Sequence, residues 1–333
     1  MTGRVAINGF GRIGRGVLRA ILDGESGLDV VAINDLTDPA TLAHLLKRDS
    51  LYGTLPVEVS VDGDHLVVGE RRIRVFAERE PSKLPWAELQ IDAVLESTGF
   101  FTAAEDARQH IDAGARRVLV SAPSKGADLT VVVGVNDDRY DAAQHTIVSN
   151  ASCTTNALAP LAQVLDDLAG IEYGSMSTVH AYTQDQRLQD APHADLRRAR
   201  AAALNIVPTS TGAAKAIGLV LPQLDGKLSG SSLRVPVPVG SIVELHATVS
   251  RDVTRDEVLA AYRDAADGRL DGVLEYSEEP LVSTDIVGNP HSSIFDSELT
   301  HVSGKHVKVV AWYDNEWGFS NRAVAALRML AAG

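Results

Sequence analysis

A doubly wound α/β domain with a mostly parallel sheet, followed by an α+β domain with a mixed, largely antiparallel sheet, is the architecture this sequence predicts. Three observations lead to it. Short apolar strands alternate with amphipathic helices through the first half. A glycine-rich turn joins the first strand to the first helix. The second half carries longer β-rich runs with few helices between them. The 333 residues suit two domains, at ~100–200 residues each. An apolar share of 45% allows a sizeable core.

The elements follow in order. A strand over 5–7 meets the glycine turn, then an amphipathic helix ends near Asp23-Gly24, and a strand over 29–33 closes the first βα unit. Alternating runs over 57–61 and 72–76 have the look of an antiparallel insertion. The parallel pattern resumes with a strand over 93–95, a helix over 103–113, and strands over 117–120, 131–135 and 146–149. In the second half, β-rich runs cover 175–182, 233–250 and 306–313, with helices over 213–220 and 257–266. Thr254 and Glu257 have the spacing of a capping box before the latter helix. A last helix over 320–330 can pack on either domain. The boundary falls near 151–153, and no internal repeat or low-complexity tract is visible.

Charge and cysteine content narrow the function. Acidic residues exceed basic ones by 13, which argues against a broad nucleic-acid site or an anionic-membrane surface. One cysteine, Cys153, leaves no internal disulfide framework and no cysteine-cluster metal site. The start, MTGRVAINGFGRIG, has no apolar signal core, and no run of ~20 apolar residues occurs, so a cytoplasmic location is expected.

Gly9-Phe10-Gly11-Arg12-Ile13-Gly14 fits the dinucleotide fingerprint in the right context, after a strand and at the start of a helix. Gly9 permits the tight turn, Gly11 lets backbone approach a pyrophosphate, and Gly14 lets the helix close on the sheet. The helix N-terminus offers N–H groups and a positive dipole end. Asp35 ends the next strand, where a carboxylate can accept from an adenosine ribose. A structural glycine turn beside an ordinary surface aspartate is the plain alternative.

Cys153 lies in Ser149-Asn150-Ala151-Ser152-Cys153-Thr154-Thr155-Asn156, between a strand and a helical run reaching Leu168. Ser and Asn are capping types, which puts the thiol in or near a first turn, where the helix end favours thiolate. Pro160 implies a kink or a later helix start. A small buried cysteine would fit the same segment. Of ten histidines, His180 sits at a strand end and leads as the base such a nucleophile needs, though a packed core histidine would look alike. Arg234 is a charge inside an apolar strand and needs an anionic partner, a carboxylate or a ligand phosphate. Thr209-Ser210-Thr211-Gly212 precedes a helix and reads as an anion cradle or as plain capping. Arg197, Arg198 and Arg200 form a basic run whose default role is a solvated face or a subunit contact.

Six segments occurring in one order carry a family resemblance: INGFGRIGR, SNASCTTN, STVHAYT, VPTSTGAAKAIG, LRVPVP and WYDNEWGFSN. Together they resemble phosphorylating glyceraldehyde-3-phosphate dehydrogenases along essentially the whole chain. The resemblance implies a Rossmann NAD-binding domain over 1–152 with the C-terminal helix 318–333, and a catalytic domain over 153–317. It implies a homotetramer in which the segment around 181–204 reaches toward a neighbour's cofactor. By motif position, Cys153 would be the nucleophile and His180 the base. Thr183 and Arg234 would hold the phosphate of glyceraldehyde 3-phosphate. Ser152, Thr154, Thr211 and Gly212 would hold attacking inorganic phosphate, with Arg198 nearby. Gly9, Gly11, Arg12, Ile13, Gly14, Asp35, Arg79, Ser121 and Asn315 would contact NAD; no metal is implied.

The sequence departs from the family's commonest pattern in places. Ala157 stands where a second cysteine often follows the nucleophile, Gln184 where Asn is usual, and Ala191 where Leu is common before Pro192. Phe319 replaces a frequent Tyr, and Pro238-Val239-Gly240-Ser241 replaces a usual Pro-Asn-Val-Ser. The changes at Gln184 and Ala191 bear on the choice between NAD and NADP; none removes a catalytic role. A dehydrogenase of the same fold acting on erythrose 4-phosphate is the nearest rival, although Thr209-Ser210-Thr211-Gly212-Ala213-Ala214-Lys215 keeps the triose-phosphate form. A non-catalytic NAD-sensing or RNA-binding paralog is the rival of another class. Cys153, His180 and the net charge of −13 speak against it.

Overall fold

The computed structural model describes residues 2–24 and 26–333, which divide into two compact units. One runs from the N-terminus to Val131 and includes Asp138–Ala151 and Ser320–Gly333; the other comprises Val132–Asp137 and Ser152–Phe319.

Among the described residues, the N-terminal unit holds a nine-stranded sheet. Its strands are β1 (Gly3–Asn8), β2 (Leu28–Asn34), β5 (Val59–Asp62), β6 (His65–Val68), β7 (Arg71–Phe76), β8 (Ala93–Glu96), β9 (Arg117–Val120), β10 (Leu129–Thr130) and β11 (Ile147–Ser149). The order is β10-β11-β9-β8-β1-β2-β7-β6-β5, and every pair from β10 to β7 is parallel. A small hairpin, β3 (Arg48–Asp49) with β4 (Gly53–Thr54), stands apart. Helices α1 (Arg12–Asp23), α2 (Pro39–Lys47) and α3 (Ala104–Asp112) are the crossovers that parallel pairing requires. β1 and β8, at the sheet centre, bury Val5, Ala6, Ile7, Val94 and Leu95 completely, as strands covered on both faces do.

The first half departs from expectation in three places. The insertion has three strands rather than two. Asp62-Gly63-Asp64 makes a tight turn, with Gly63 at φ +61°, that brings His65–Val68 back against β5, and β7 then joins β2 in parallel. No strand covers 131–135. The extended segment is β10, just before it, and the chain then turns at Gly134 (φ +85°), whose N–H donates to Asp137. α2 was not anticipated, although Asp38 accepts from the Thr41 N–H and Pro39 opens the helix.

The C-terminal unit carries an eight-stranded sheet built from β12 (Ile171–Ala181), β13 (Val207–Thr209), β14 (Leu228–Val235), β15 (Ser241–Val249), β16 (Leu274–Ser277), β17 (Ser293–Asp296), β18 (His301–Ser303) and β19 (His306–Tyr313). Five pairings are antiparallel, while β12–β14 and β16–β17 are parallel. The β-rich run over 233–250 is two strands, broken where Pro236, Pro238 and Gly240 (φ +88°) turn the chain. α4 (Cys153–Ala169) packs across β15, β17 and β19, flanked by α5 (Ala213–Val220) and α6 (Arg255–Ala266). α6 has the expected capping box between Thr254 and Glu257. Helix α7 (Trp317–Ala332) ends the chain. Pro160 does not delay α4, which starts at Cys153 and runs through it.

Candidate active site

The thiol sits where backbone geometry puts it. Ala151 takes a left-handed conformation, φ +56°, which costs an alanine about 1–2 kcal/mol. Ser152 then caps α4, its hydroxyl accepting from the Thr155 N–H at 3.0 Å, so Cys153 is the first helical residue. His180 lies near the end of β12. Its Nε2 is 3.3 Å from Cys153 Sγ. Its Nδ1 lies 2.7 Å from the Ala181 carbonyl oxygen, an acceptor, and 2.9 Å from Arg234 Nη1, whose two hydrogens go to the Ala181 carbonyl and Thr183 Oγ1; the ring proton on Nδ1 is the assignment that satisfies all of these contacts. Nε2 therefore presents a lone pair to the sulfur, the tautomer a base requires.

Parallel pairing of β12 with β14 sets Arg234 directly opposite His180. Arg234 Nη1 donates to the Ala181 carbonyl at 3.0 Å and to Thr183 Oγ1 at 2.8 Å, and stands 2.9 Å from His180 Nδ1. Burial, with Arg234 adding to it, drives the His180 imidazolium down to about 3, so the ring is neutral at physiological pH. Burial also pushes the Cys153 thiol up from its ordinary value; Arg234 and the hydroxyl and N–H of Thr154 pull the other way. The expected preference for thiolate at the helix end is thus outweighed by desolvation in the resting protein. Passing the thiol proton along the 3.3 Å line to Nε2 places two opposite charges in contact, and each offsets the other's burial.

Three of the anion-binding candidates, Arg234, Thr183 and Arg198, form one connected group through Asp185. Thr183 Oγ1 donates to Asp185, whose other oxygen accepts from Arg198 Nη1 at 2.6 Å. Arg198 Nε donates to Thr209 Oγ1 at 2.9 Å, two residues before Thr211. Against the burial that would raise it, the Thr183 hydroxyl and the charges of Arg234 and Arg198 hold the Asp185 carboxyl below its ordinary range. Thr211 Oγ1 accepts from the Ala213 N–H at the start of α5. Gly212 has open space where a Cβ would stand and receives no side-chain cap. Thr154 differs: its hydroxyl is buried against Tyr313 Oη at 3.0 Å, and both that hydroxyl and its N–H act on the Cys153 sulfur. Asn315 Oδ1 accepts from Gly240 N and Ser241 Oγ, and Ser241 Oγ in turn accepts from Ala181 N.

Sequence reasoning missed Asp185, Tyr313, Thr178 and Ser241. Asp185 had a signal, a carboxylate two residues from a threonine already singled out. The others are ordinary strand residues whose partners come only from register.

The N-terminal unit holds the nucleotide candidates, and its glycines fit a dinucleotide. A Cβ on Gly9 (φ +91°) would lie 2.5 Å from Thr98 N, and one on Gly14 would collide with the Gly9 carbonyl. Gly11 faces open space, as a residue over a pyrophosphate should. No side chain caps the first turn of α1, which includes Arg12, Ile13 and Gly14. Arg12 pairs with Asp49 at 2.5 Å. Asp35 accepts from Phe10 N at 2.8 Å and Thr37 N at 2.9 Å, so it also buttresses the fingerprint turn. Arg79 is exposed in the turn after β7, and Ser121 donates from N and Oγ to the Glu96 carbonyl. Among the described residues, no cluster of three metal-ligating side chains occurs and no helix is long and apolar enough to cross a membrane.

Comparison with known proteins agrees with this geometry. Residues 3–104 match the family model described as glyceraldehyde 3-phosphate dehydrogenase, NAD binding domain, and residues 152–315 match its C-terminal domain. A glyceraldehyde-3-phosphate dehydrogenase of Kitasatospora aureofaciens is 73% identical over 329 residues, 99% of each chain. One of Mycobacterium bovis is 61% identical over 330 residues, and glyceraldehyde-3-phosphate dehydrogenase 1 of Streptomyces avermitilis is 60% identical over 324, each covering 97% of both chains.

Proposed function

The chain belongs to the glyceraldehyde 3-phosphate dehydrogenase family, and from that premise we infer how its own residues divide the reaction. It is an NAD-dependent oxidoreductase that converts D-glyceraldehyde 3-phosphate and inorganic phosphate to 1,3-bisphosphoglycerate. Neither the erythrose 4-phosphate reading nor a non-catalytic paralog is favoured by relatives at this identity.

The observation that carries the residue roles is the 3.3 Å approach of Cys153 Sγ to the lone-pair nitrogen of neutral His180. Sulfur adds to the aldehyde carbon, and the thiol proton passes through Nε2 to the carbonyl oxygen, giving a hemithioacetal. Nε2 then takes the hydroxyl proton as the C–H electron pair departs as hydride, leaving a thioester on Cys153. NAD, when bound, supplies the hydride acceptor. An oxygen of inorganic phosphate attacks the thioester carbonyl, the carbon–sulfur bond breaks, and Cys153 recovers a proton from imidazolium. The phosphate's own proton goes to water.

Arg234 and Thr183 are suited to the substrate's phosphate. Ser152, Thr211, Gly212 and the Thr154 N–H are suited to the attacking one, with Arg198 spanning Thr209 and Asp185 between the two groups. An incoming phosphate on Thr183 and Arg198 competes with Asp185 for the same donors. Gly9, Gly11, Arg12, Ile13, Gly14, Asp35, Arg79 and Ser121 would cradle NAD, with Asn315 as a further contact. The functional division would then be 1–152 with 318–333 for cofactor and 153–317 for chemistry. Leu188, Leu196, Leu204 and Ile206 leave most of their surface exposed, which supports a homotetramer built partly through 181–204. A free reactive thiol suits a reducing compartment, which supports a cytoplasmic location.

The test is NADH formation with glyceraldehyde 3-phosphate or erythrose 4-phosphate, with and without inorganic phosphate, before and after labelling with iodoacetamide. Phosphate-dependent activity on the triose, abolished by one label per chain, is expected. Full activity after stoichiometric labelling removes Cys153 as nucleophile.

A further inference from the structure

Beneath the fingerprint turn lies a buried polar cluster that the chemistry above does not use. Glu96 ends β8 at 2% exposure and His110 on α3 is fully buried. Both Glu96 oxygens receive donors: Oε1 from Thr98 N at 2.8 Å and Thr98 Oγ1 at 2.5 Å, Oε2 from Asn8 Nδ2 at 2.6 Å and His110 Nε2 at 3.0 Å. The His110 donor is fixed from behind. Trp86 Nε1 can only donate and lies 3.0 Å from His110 Nδ1, so Nδ1 carries the lone pair and Nε2 the proton. Among the described residues, no Arg or Lys pairs with this carboxylate; dipolar donors alone hold it.

The cluster reaches several segments expected to contact cofactor. Ser97 Oγ donates to the carbonyls of Asn8 and Gly9, and Thr98 N is the atom that a Cβ on Gly9 would strike. Asn8 Oδ1 accepts from Asn34 Nδ2, next to Asp35, and Asn34 exchanges hydrogen bonds with Glu78 in the turn bearing Arg79. The Glu96 carbonyl accepts from Ser121. One acidic side chain thus ties the ends of β1, β8 and α3 together, and its backbone reaches the end of β9.

We propose that Glu96 and His110 are positioning residues for NAD: His110 orients Glu96, and Glu96 clamps the Ser97-Thr98 turn under Gly9 so that the phosphate cradle is preformed. This rests on the cofactor reading above. A carboxylate suits the task because it accepts at every position. In Glu96→Gln the amide oxygen can still receive Asn8 and His110, but the NH₂ then faces the Thr98 N–H, donor against donor. The packing stays and the clamp on Thr98 is lost.

The experiment uses the full-length enzyme and measures NAD Kd, kcat at saturating NAD and the rate of Cys153 alkylation without cofactor. Glu96→Gln should raise NAD Kd about tenfold, equivalent to about 1.4 kcal/mol, while kcat and alkylation stay unchanged. His110→Asn should weaken NAD in the same direction. A merely structural role would lower Tm and leave the Kd of the folded variant where it was, and that result overturns the proposal. Should Glu96→Gln fail to fold, Ser97→Ala tests the same clasp at the surface end, and an unaltered Kd there is equally fatal. Wild-type protein that does not bind NAD would instead remove the cofactor reading itself.

Discussion

His110 in the N-terminal unit and His180 in the C-terminal unit are both buried imidazoles with a polar partner at each ring nitrogen, yet the partners are reversed. An indole N–H faces His110 Nδ1 and leaves Nε2 as a permanent donor to a carboxylate. A carbonyl faces His180 Nδ1 and leaves Nε2 as an acceptor toward a thiol. Burial has withdrawn both from solvent; which nitrogen is fixed decides whether the ring holds a proton still or takes one. The units differ in the same way. On the proposed roles, one arranges backbone for a cofactor and the other arranges protons.

The largest effect that could break this contrast is on turnover. His180→Asn should cut kcat by ~10²–10⁴-fold, the usual contribution of a general base. It should leave NAD Kd unchanged and slow alkylation of Cys153 at neutral pH, since the thiol, raised by burial against the pull of Arg234 and Thr154, then has no base to take its proton. A variant with near wild-type turnover would make His180 another packed histidine and dissolve the comparison.

The next effect is on stability against pH. Native His180 takes up its proton only near 3, whereas the unfolded chain does so near its ordinary 6.5. This contribution is whole above about pH 6.5 and is lost as pH falls toward 3, with a slope of up to about 1.4 kcal/mol per pH unit. Denaturant unfolding between those limits should be flatter in His180→Asn than in wild type. Superimposable slopes would show that the ring is protonated in the native protein.

Cofactor choice probes the other unit. Asp35→Gly should lower kcat/KM for NAD about tenfold and raise it for NADP, since a carboxylate repels a 2′-phosphate in a partly desolvated groove. Part of the NAD loss comes from the Phe10 N–H that Asp35 also holds. Alkylation of Cys153 should not move. NADP use equal to NAD use in the wild type would mean that Gln184 or Ala191 has reshaped the pocket.

The fingerprint was readable because glycines report backbone geometry directly: Gly9 and Gly14 stand where a side chain would collide, and Gly11 beside open space. Cys153 was readable because Ser152 is a capping type before a helical run. Asp35 showed as the acidic residue that ends the strand after the fingerprint, and Arg234 as a charge inside an apolar strand. Glu96, His110 and Tyr313 were not readable, because their partners lie across strands and helices far away in sequence. Asp62-Gly63 and Asp38-Pro39 are local signals that went unread in the first unit, and they account for the missing strand and helix there. Desolvation was the other blind spot: the chain shows that a thiol lies at a helix end, not that partial burial there pushes it up.

The smallest predicted effect concerns Tyr313, which lies edge-on to the His180 ring at 5.9 Å. Its phenol, pushed up by burial and then by Cys153, stays protonated. Thr178 Oγ1 donates to the Ile242 carbonyl, so the contact of 2.8 Å between Thr178 Oγ1 and Tyr313 Oη must run from the phenol to the threonine. The phenol oxygen is then left to accept from Thr154 Oγ1 at 3.0 Å. In Tyr313→Phe the ring still supports His180, and two hydroxyls lose one partner each. That should cost about 1 kcal/mol of stability and only a modest part of turnover. Thr154 Oγ1, without the phenol, acts on Cys153 alone, so alkylation should quicken. A fall in kcat as large as that of His180→Asn would mean that the phenol itself moves the proton, and that His180 resembles His110 more closely than their tautomers imply.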